Sequence, residues 1–256
     1  MKKEEILQSL KTERFGKSIH LFDVIDSTNT FAKSIASAND AEGTIVIAES
    51  QSAGRGRQGR VWYSELGKNL TFSVIVRPRI SLKFIGLISL YAGLAVVNTI
   101  RKTTPLLPEC KWPNDVLVEG KKVCGILSEA VLSQGSVSYV IIGIGLNVNQ
   151  AEFPPEIRLP VTSLFLSGRR NVDRVEVLCD LLQELETTYA LLGEAQHPLL
   201  IERWSAQCTM FGKETTINQD GQLITGIARS IAEDGGLMLE TNDGTTKVFA
   251  GDVTLV

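Results

Sequence analysis

From Cys208 to the C-terminus this chain leaves little freedom of fold. Short β-prone runs near 214–217, 223–230, 237–240 and 246–249 are separated by Asp220-Gly221, Asp234-Gly235-Gly236 and Asp243-Gly244. Asp-Gly between such runs marks a hairpin, because the turn needs a positive φ that glycine adopts without steric cost. The residues before Cys208 show a different pattern, with long apolar and helical runs between strands. A domain boundary near 208–212 follows, with a larger unit over 1–207 and a small β-barrel over 208–256.

The larger unit alternates strands and helices. A helix is expected over 3–10, a strand over 19–25, and a helix over 28–37 capped by Ser27. Strands follow at 44–48 and 70–76, then a long helix at 82–101. Further strands are expected at 109–112, 115–119, 123–131 and 138–144. An irregular connection with Pro154, Pro155 and Pro160 spans 150–162, and helices lie over 172–193 and 196–206. The uncharged stretch 84–100 contains Ser89, Asn98 and Thr99 and is short for a membrane span, so it reads as a buried helix.

Composition excludes several classes. A hydrophobic share of 43% with 21% charged residues is that of a soluble globular protein. A formal net charge of −3 argues against a general nucleic-acid binder. The start, Met1-Lys-Lys-Glu-Glu-Ile, has no apolar core of a signal peptide. Cys110, Cys124, Cys179 and Cys208 form no C-x-x-C pair and read as reduced thiols of a cytoplasmic protein. Only His20 and His197 are present, too few for a His-rich metal site, and no protein-built metal centre is expected.

The segment Ser52-Ala-Gly-Arg-Gly-Arg-Gln-Gly-Arg60 carries the strongest chemical signal. Gly54, Gly56 and Gly59 match G-x-G-x-x-G after a strand. A dinucleotide fold also needs a helix N-terminus next, and Val61-Trp-Tyr-Ser-Glu-Leu-Gly67 is a poor helix start. The alternative is an anion clamp. Arg55, Arg57 and Arg60 bring three positive charges on a glycine-rich backbone, expected to be mobile when empty and ordered by phosphate or carboxylate. A solvated basic turn is the bland reading of such a loop alone. The Gly-Lys pairs at 16, 67, 120 and 212 lack the rest of a Walker A loop.

Other segments decide between these readings. Asp26-Ser-Thr-Asn29, Gln51 with the arginine loop, Lys111-Trp-Pro-Asn-Asp115, Lys122-Val-Cys-Gly-Ile-Leu127 and Gly143-Ile-Gly-Leu-Asn147 occur in that order. Together they resemble the catalytic core of biotin–protein ligases, from about Ile19 to the C-terminus. The resemblance implies an α+β fold, a mixed-sheet, class II synthetase-like catalytic domain followed by an SH3-like β-barrel. It implies ATP and biotin as substrates with Mg²⁺, a biotinyl-5′-AMP intermediate, and a biotin carboxyl carrier protein as partner.

By that resemblance Ser27, Thr28, Asn29 and Gln51 meet the ureido ring of biotin. Gly54, Arg55, Gly56 and Arg57 fold over its tail and the adenylate, and Gly125 lies beside them. Lys122 holds the biotin carboxylate and the α-phosphate together, a repulsive pair that only fixed positive charge can align. Arg57, Arg60, Asn114 and Asn147 belong to the ATP side. Trp62 packs over the loop and the adenine, or is a plain core aromatic. Asn114 and Asp115 have three open roles: holding Mg²⁺, binding triphosphate, or orienting the acceptor lysine. Asp115 is, with Lys122 and Arg55, a catalytic candidate.

Bifunctional relatives that repress transcription carry a winged helix-turn-helix before this core, and too few residues precede Ile19 to form one. The resemblance is therefore to the type without a DNA-binding arm. A lipoate–protein ligase is the nearest rival. A nucleic-acid role for the terminal barrel is disfavoured by its balance of charge, with Lys213, Arg229 and Lys247 against a larger number of acids. A homodimer pairing sheets through an exposed edge stays open.

Overall fold

The computed structural model describes residues 1–36, 42–157, 159–219, 221–249 and 251–255, with 252–255 described by backbone alone. A seven-stranded mixed sheet forms the centre. Its strands are β1 (Ile19–Ile25), β2 (Ile45–Gln51), β3 (Leu70–Val76), β4 (Pro108–Lys111), β5 (Asp115–Val118), β6 (Lys121–Ser133) and β7 (Ser136–Leu146). They run in the order β1-β2-β3-β7-β6-β5-β4, and only β1 and β2 pair in parallel.

The two faces of the sheet are covered differently because side chains alternate along each strand. Leu70, Phe72, Val74 and Val76 of β3 and Val140, Ile142, Ile144 and Leu146 of β7 belong to the main core. There they meet α3 (Leu87–Thr103), with α5 (Arg174–Thr188) and α6 (His197–Ser205) packed behind it. Twelve residues of α3 are buried, which accounts for the absence of charge from Leu87 to Ile100. Each fully buried Leu, Ile or Val there contributes about 1.5–3 kcal/mol. No helix among the described residues is long and apolar enough to cross a membrane.

Among the described residues the opposite face carries one short helix, α2 (Thr28–Ile35), over part of its area. Ala32 and Ala36 pack on Val46, Ile75 and Ile141. Ser27 caps α2, its side chain accepting the Thr30 N–H. Ser37, expected at the helix end, lies outside the described residues. The rest of this face stays open, and the cavity described below occupies it.

The C-terminal strands form a separate antiparallel sheet in the order β11-β10-β9-β8-β12. They are β8 (Glu214–Gln219), β9 (Gln222–Ile231), β10 (Leu237–Thr241), β11 (Gly244–Val248) and β12 (Asp252–Leu255). The α+β class, a mixed-sheet domain with an SH3-like sheet behind it, is the observed one. One turn is shifted: Thr241 pairs with Gly244, so Asn242 and Asp243 are the turn and Gly244 (φ 115°) opens β11. Asp220, in the first expected turn, is outside the described residues.

Several elements differ from expectation in the larger unit, among them the helix expected over 172–193, which is α-helical over Arg174–Thr188 and ends in a 3-10 turn at Tyr189–Leu192. The long helix starts at Leu87 because Leu82–Phe84 form a separate 3-10 turn. A short helix, α4 (Leu164–Gly168), follows the proline-rich connection and is capped by Ser163, whose hydroxyl oxygen accepts the Leu166 N–H. The two sheets are joined at Trp112. Its side chain is buried, and its indole N–H donates to the Gly235 carbonyl at 2.9 Å.

Candidate active site

The open face of the central sheet is organised in cross-strand rows. Nearest α2, Ile75, Ile141 and Glu129 lie side by side. The next row is Ser73, Gly143 and Leu127, and the third is Thr71, Gly145, Gly125 and Asp115. The glycines hollow this surface. A Cβ on Gly143 would lie 2.2 Å from Asn29 Oδ1, and one on Gly145 would lie 2.3 Å from the Trp62 ring. Absent side chains thus let Asn29 and Trp62 descend onto the sheet, and a cavity of about 240 Å³ opens between them.

A bulge delivers Lys122 to this face. Asp115 pairs with Gly125 and Val116 with Cys124, but Leu117 pairs with Lys122, so β6 has one extra residue there. The extra residue changes the alternation and turns Lys122 to the side that Asp115 and Gly125 occupy. Its ammonium stands 2.6 Å from Asp115 Oδ1 and 5.7 Å from the centre of the Trp62 ring. Its backbone is fixed from the far side as well, by Lys122 N–H to Pro160 O at 2.8 Å and Thr162 N–H to Lys122 O at 2.9 Å.

At the other end of the cavity the hydrogen-bonding groups of Thr28, Asn29 and Gln51 are neutral, with the Glu129 carboxylate behind Asn29. Gln51 Oε1 accepts the Thr28 backbone N–H at 2.7 Å and the Thr28 hydroxyl at 3.1 Å. That orientation turns the Gln51 amide nitrogen outward as a donor. The Ser73 hydroxyl donates to Asn29 Oδ1 at 2.6 Å, and Asn29 Nδ2 donates to Glu129 at 2.6 Å and to Leu127 O at 3.3 Å. Asn29 therefore offers a ligand its carbonyl oxygen, since both of its amide hydrogens are committed.

The arginine segment is a strap across the opening. Arg55 bridges Val61, Gly56 N–H donates to Arg60 O, and Trp62 N–H donates to Gly54 O. The tip, Arg57–Gly59, is a 3-10 turn with Gln58 at φ 54° and Gly59 at φ 73°. Arg57 donates to Asn114 Oδ1 at 3.3 Å, while Asn114 Nδ2 donates to Ile126 O at 2.7 Å. The Asn114 amide thus ties the strap to β6. Pro113, in a cis peptide with Trp112, turns the chain between β4 and β5.

Four polar atoms on the cavity wall are buried with no hydrogen-bond partner among the described residues: Trp62 Nε1, Thr71 Oγ1, Asn147 Oδ1 and Asp115 Oδ1, the last of which has only its ion pair with Lys122. A buried unsatisfied donor or acceptor costs about 1–3 kcal/mol, so such atoms in a cavity mark where a ligand supplies the partner. Asn147 is held in place by its own amide nitrogen, which donates to Thr162 O at 3.0 Å. Cys124 lies beside Lys122 in β6, but burial pushes its thiol well above the ordinary value and it offers no nucleophile at neutral pH.

Residues 21–147 match the model of the biotin/lipoate A/B protein ligase family, and 210–256 match that of the biotin protein ligase C-terminal domain. The bifunctional ligase/repressor BirA of Bacillus subtilis is 36% identical over 258 residues, covering 100% of this chain and 79% of the relative. This chain belongs to the biotin protein ligase family. The biotin–[acetyl-CoA-carboxylase] ligase of Mycobacterium tuberculosis is 38% identical over 223 residues, 85% of this chain and 81% of its own. The biotin protein ligase of Aquifex aeolicus, solved with biotin and ATP, superposes with a TM-score of 0.80 at 31% identity and covers 94% of this chain and 99% of that one.

The cavity of this biotin protein ligase family member is walled by Ser27, Thr28, Asn29, Gln51, Arg55, Gly56, Arg57, Arg60, Trp62, Asn114, Asp115, Lys122, Gly125 and Asn147. Gly54 is not on the wall. It has no room for a side chain, because a Cβ there would lie 2.5 Å from Trp62 O and 2.9 Å from Gln51 Nε2. Thr71, Ser73, Gly143, Gly145 and Glu129 were not marked by the sequence as site residues. Gly-Ile-Gly before Asn147 is a visible signal for two of them.

Proposed function

We propose that the chain activates biotin with ATP to biotinyl-5′-AMP, releasing pyrophosphate, and transfers biotin to a lysine of a biotin carboxyl carrier protein. The observation that carries this reading is the polarity of one cavity: neutral hydrogen-bonding groups at one end and a lysine–aspartate pair at the other. Biotin has the matching form, with a ureido ring at one end and a carboxylate at the other. Lipoate has a dithiolane in place of the ureido ring and would offer nothing to the Gln51 amide nitrogen or to the remaining lone pair of Asn29 Oδ1.

In the first half-reaction a biotin carboxylate oxygen attacks the α-phosphorus, and the bond to pyrophosphate breaks. Both reactants are anions. Lys122 leaves Asp115 to bridge the carboxylate and the α-phosphate, and the strap arginines neutralise the charge that grows between them. Arg57 and Arg60 lie on the ATP side, and Asn147 Oδ1 accepts from the adenine amino group. Trp62 packs against the adenylate with its indole N–H available to it. In the second half-reaction the carrier lysine attacks the acyl carbon, AMP departs, and Asp115 helps remove the amine proton.

Mg²⁺ bound with a nucleotide takes one or two carboxylates and completes its shell with phosphate oxygens and water. Asp115 is the one acid on the described cavity wall, and no group of three metal-ligating side chains occurs among the described residues. The site thus fits an ion that would arrive with the triphosphate; Asp115 would hold it, and it would offset phosphate charge. Residues 1–207 form the catalytic unit in this reading and 208–256 a supporting one. The buried free thiols suit a reducing compartment, the cytoplasm.

The test is transfer of labelled biotin to a purified carrier domain, with ATP present or omitted, and with lipoate as competitor. ATP-dependent labelling that excess lipoate leaves intact is expected. Labelling of no carrier, or suppression by lipoate at equal concentration, would overturn the reading.

A further inference from the structure

Glu129 lies outside every motif that marks the site, yet it touches both the polar end of the cavity and the strap. It stands on β6 in the row beyond Leu127, beside Ile141. Its Oε2 accepts the Asn29 amide N–H at 2.6 Å, and the same oxygen is 3.6 Å from the Arg55 guanidinium. Arg55 also donates to Thr30 Oγ1 at 3.2 Å, one residue beyond Asn29 on the first turn of α2. The pair is half-exposed, with 49% of the Arg55 side chain and 30% of Glu129 accessible, so its strength is modest and screened.

From this geometry we propose that Glu129 is a positioning residue that couples the polar end of the cavity to the strap. The carboxylate does two separate things. As an acceptor it fixes the Asn29 amide, so that Oδ1 rather than Nδ2 faces the ligand. As an anion it holds Arg55, and hence the strap, against α2. A ligand N–H on Asn29 Oδ1 strengthens the arrangement that Glu129 maintains, and that arrangement keeps the strap closed. By linkage, strap closure must favour the ligand's ureido end to the same degree. The idea rests on the proposed biotin-ligase reading.

The two roles separate by substitution. In Glu129→Gln the amide oxygen still accepts from Asn29, but the charge facing Arg55 is gone. Two quantities are read: the biotin Kd by calorimetry, and the rate at which preformed biotinyl-AMP escapes from the full chain. By linkage both readouts should move together: Glu129→Gln is expected to weaken biotin and to speed adenylate escape to a similar, modest degree, up to about fivefold, the size of a half-exposed ion pair. Glu129→Ala is expected to weaken biotin about tenfold as well, through loss of a charge-assisted hydrogen bond. Combining Glu129→Gln with Arg55→Ala should release adenylate no faster than Arg55→Ala alone. Normal biotin binding with an unchanged escape rate in Glu129→Gln, or additive effects in the double variant, would overturn the coupling role alone. Failure of the unaltered chain to bind biotin would instead sink the ligase reading. Glu129→Gln preserves shape, so the test survives even if Glu129→Ala does not fold.

Discussion

The floor and the strap of the cavity are built on opposite principles. The floor is three paired strands whose side chains have been removed where a ligand or Trp62 must lie, and its geometry is fixed by backbone ladders and a buried core beneath. The strap is a hairpin-like loop bearing Arg55, Arg57 and Arg60, tied down by a few side-chain contacts. A fixed floor can discriminate neutral shape and hydrogen-bond pattern. A charged strap can answer to anions that appear only when nucleotide binds. Recognition of the vitamin and handling of charge are thus assigned to different parts, with Lys122 where they meet.

The largest expected effect comes from that meeting point. Lys122→Ala removes the cation fixed in the floor, and adenylate formation should fall by about 10²–10³-fold, read by biotin-dependent pyrophosphate exchange. An activity near that of the unaltered chain would mean that the strap arginines suffice. Next is Asp115→Asn, assayed by transfer from preformed biotinyl-AMP. A loss of about a hundredfold is expected if the carboxylate helps deprotonate the acceptor amine. An unchanged transfer rate removes that role and leaves Asp115 as the partner of Lys122.

Gly145→Ala tests the floor without altering charge. The new methyl would meet the Trp62 ring at 2.3 Å, so the ring must lift. Overpacking of this kind costs about 1–3 kcal/mol, and biotin affinity should weaken by about tenfold or more. Equal affinity would show that Trp62 already lies elsewhere when ligand is bound. The smallest effect concerns the support behind the floor. Burial opposes ionisation of Asp234, but the Lys247 ammonium and the Gly236 N–H hold its carboxyl below the ordinary 3.8. The stabilisation this provides is complete above about pH 3.8 and is lost as pH falls through the lower folded value. It amounts to about 1 kcal/mol at most, because Lys247 is partly exposed. Melting of Asp234→Asn and the unaltered chain should therefore differ at pH 6 and draw together as the pH falls below 3.8 through the lower folded value.

Local chemistry made much of this fold legible. The strands at 19–25 and 70–76 have the bounds that alternation and β-branching gave them, and Ser27 caps the helix it was assigned to. What was not legible depends on distant partners. The strand Asp252–Leu255 forms by pairing with β8, and α4 has only five residues, too few for a periodic signal. In the site, motif residues were visible because their chemistry is polar and unusual. Gly143 and Gly145 stood in a visible motif, but their function did not show, because it is to leave room for Asn29 and Trp62, which come from other segments. The bulge that turns Lys122 into the cavity is a property of pairing register, which no single strand displays.

The central division of labour is tested most directly by titrating biotin and biotinyl-AMP separately into the unaltered chain and into Arg57→Ala. Arg57 belongs to the strap, so adenylate affinity should fall at least about tenfold, in keeping with loss of a charge-assisted contact, while biotin affinity moves far less. Equal losses for both ligands, or no binding of either by the unaltered chain, would contradict it.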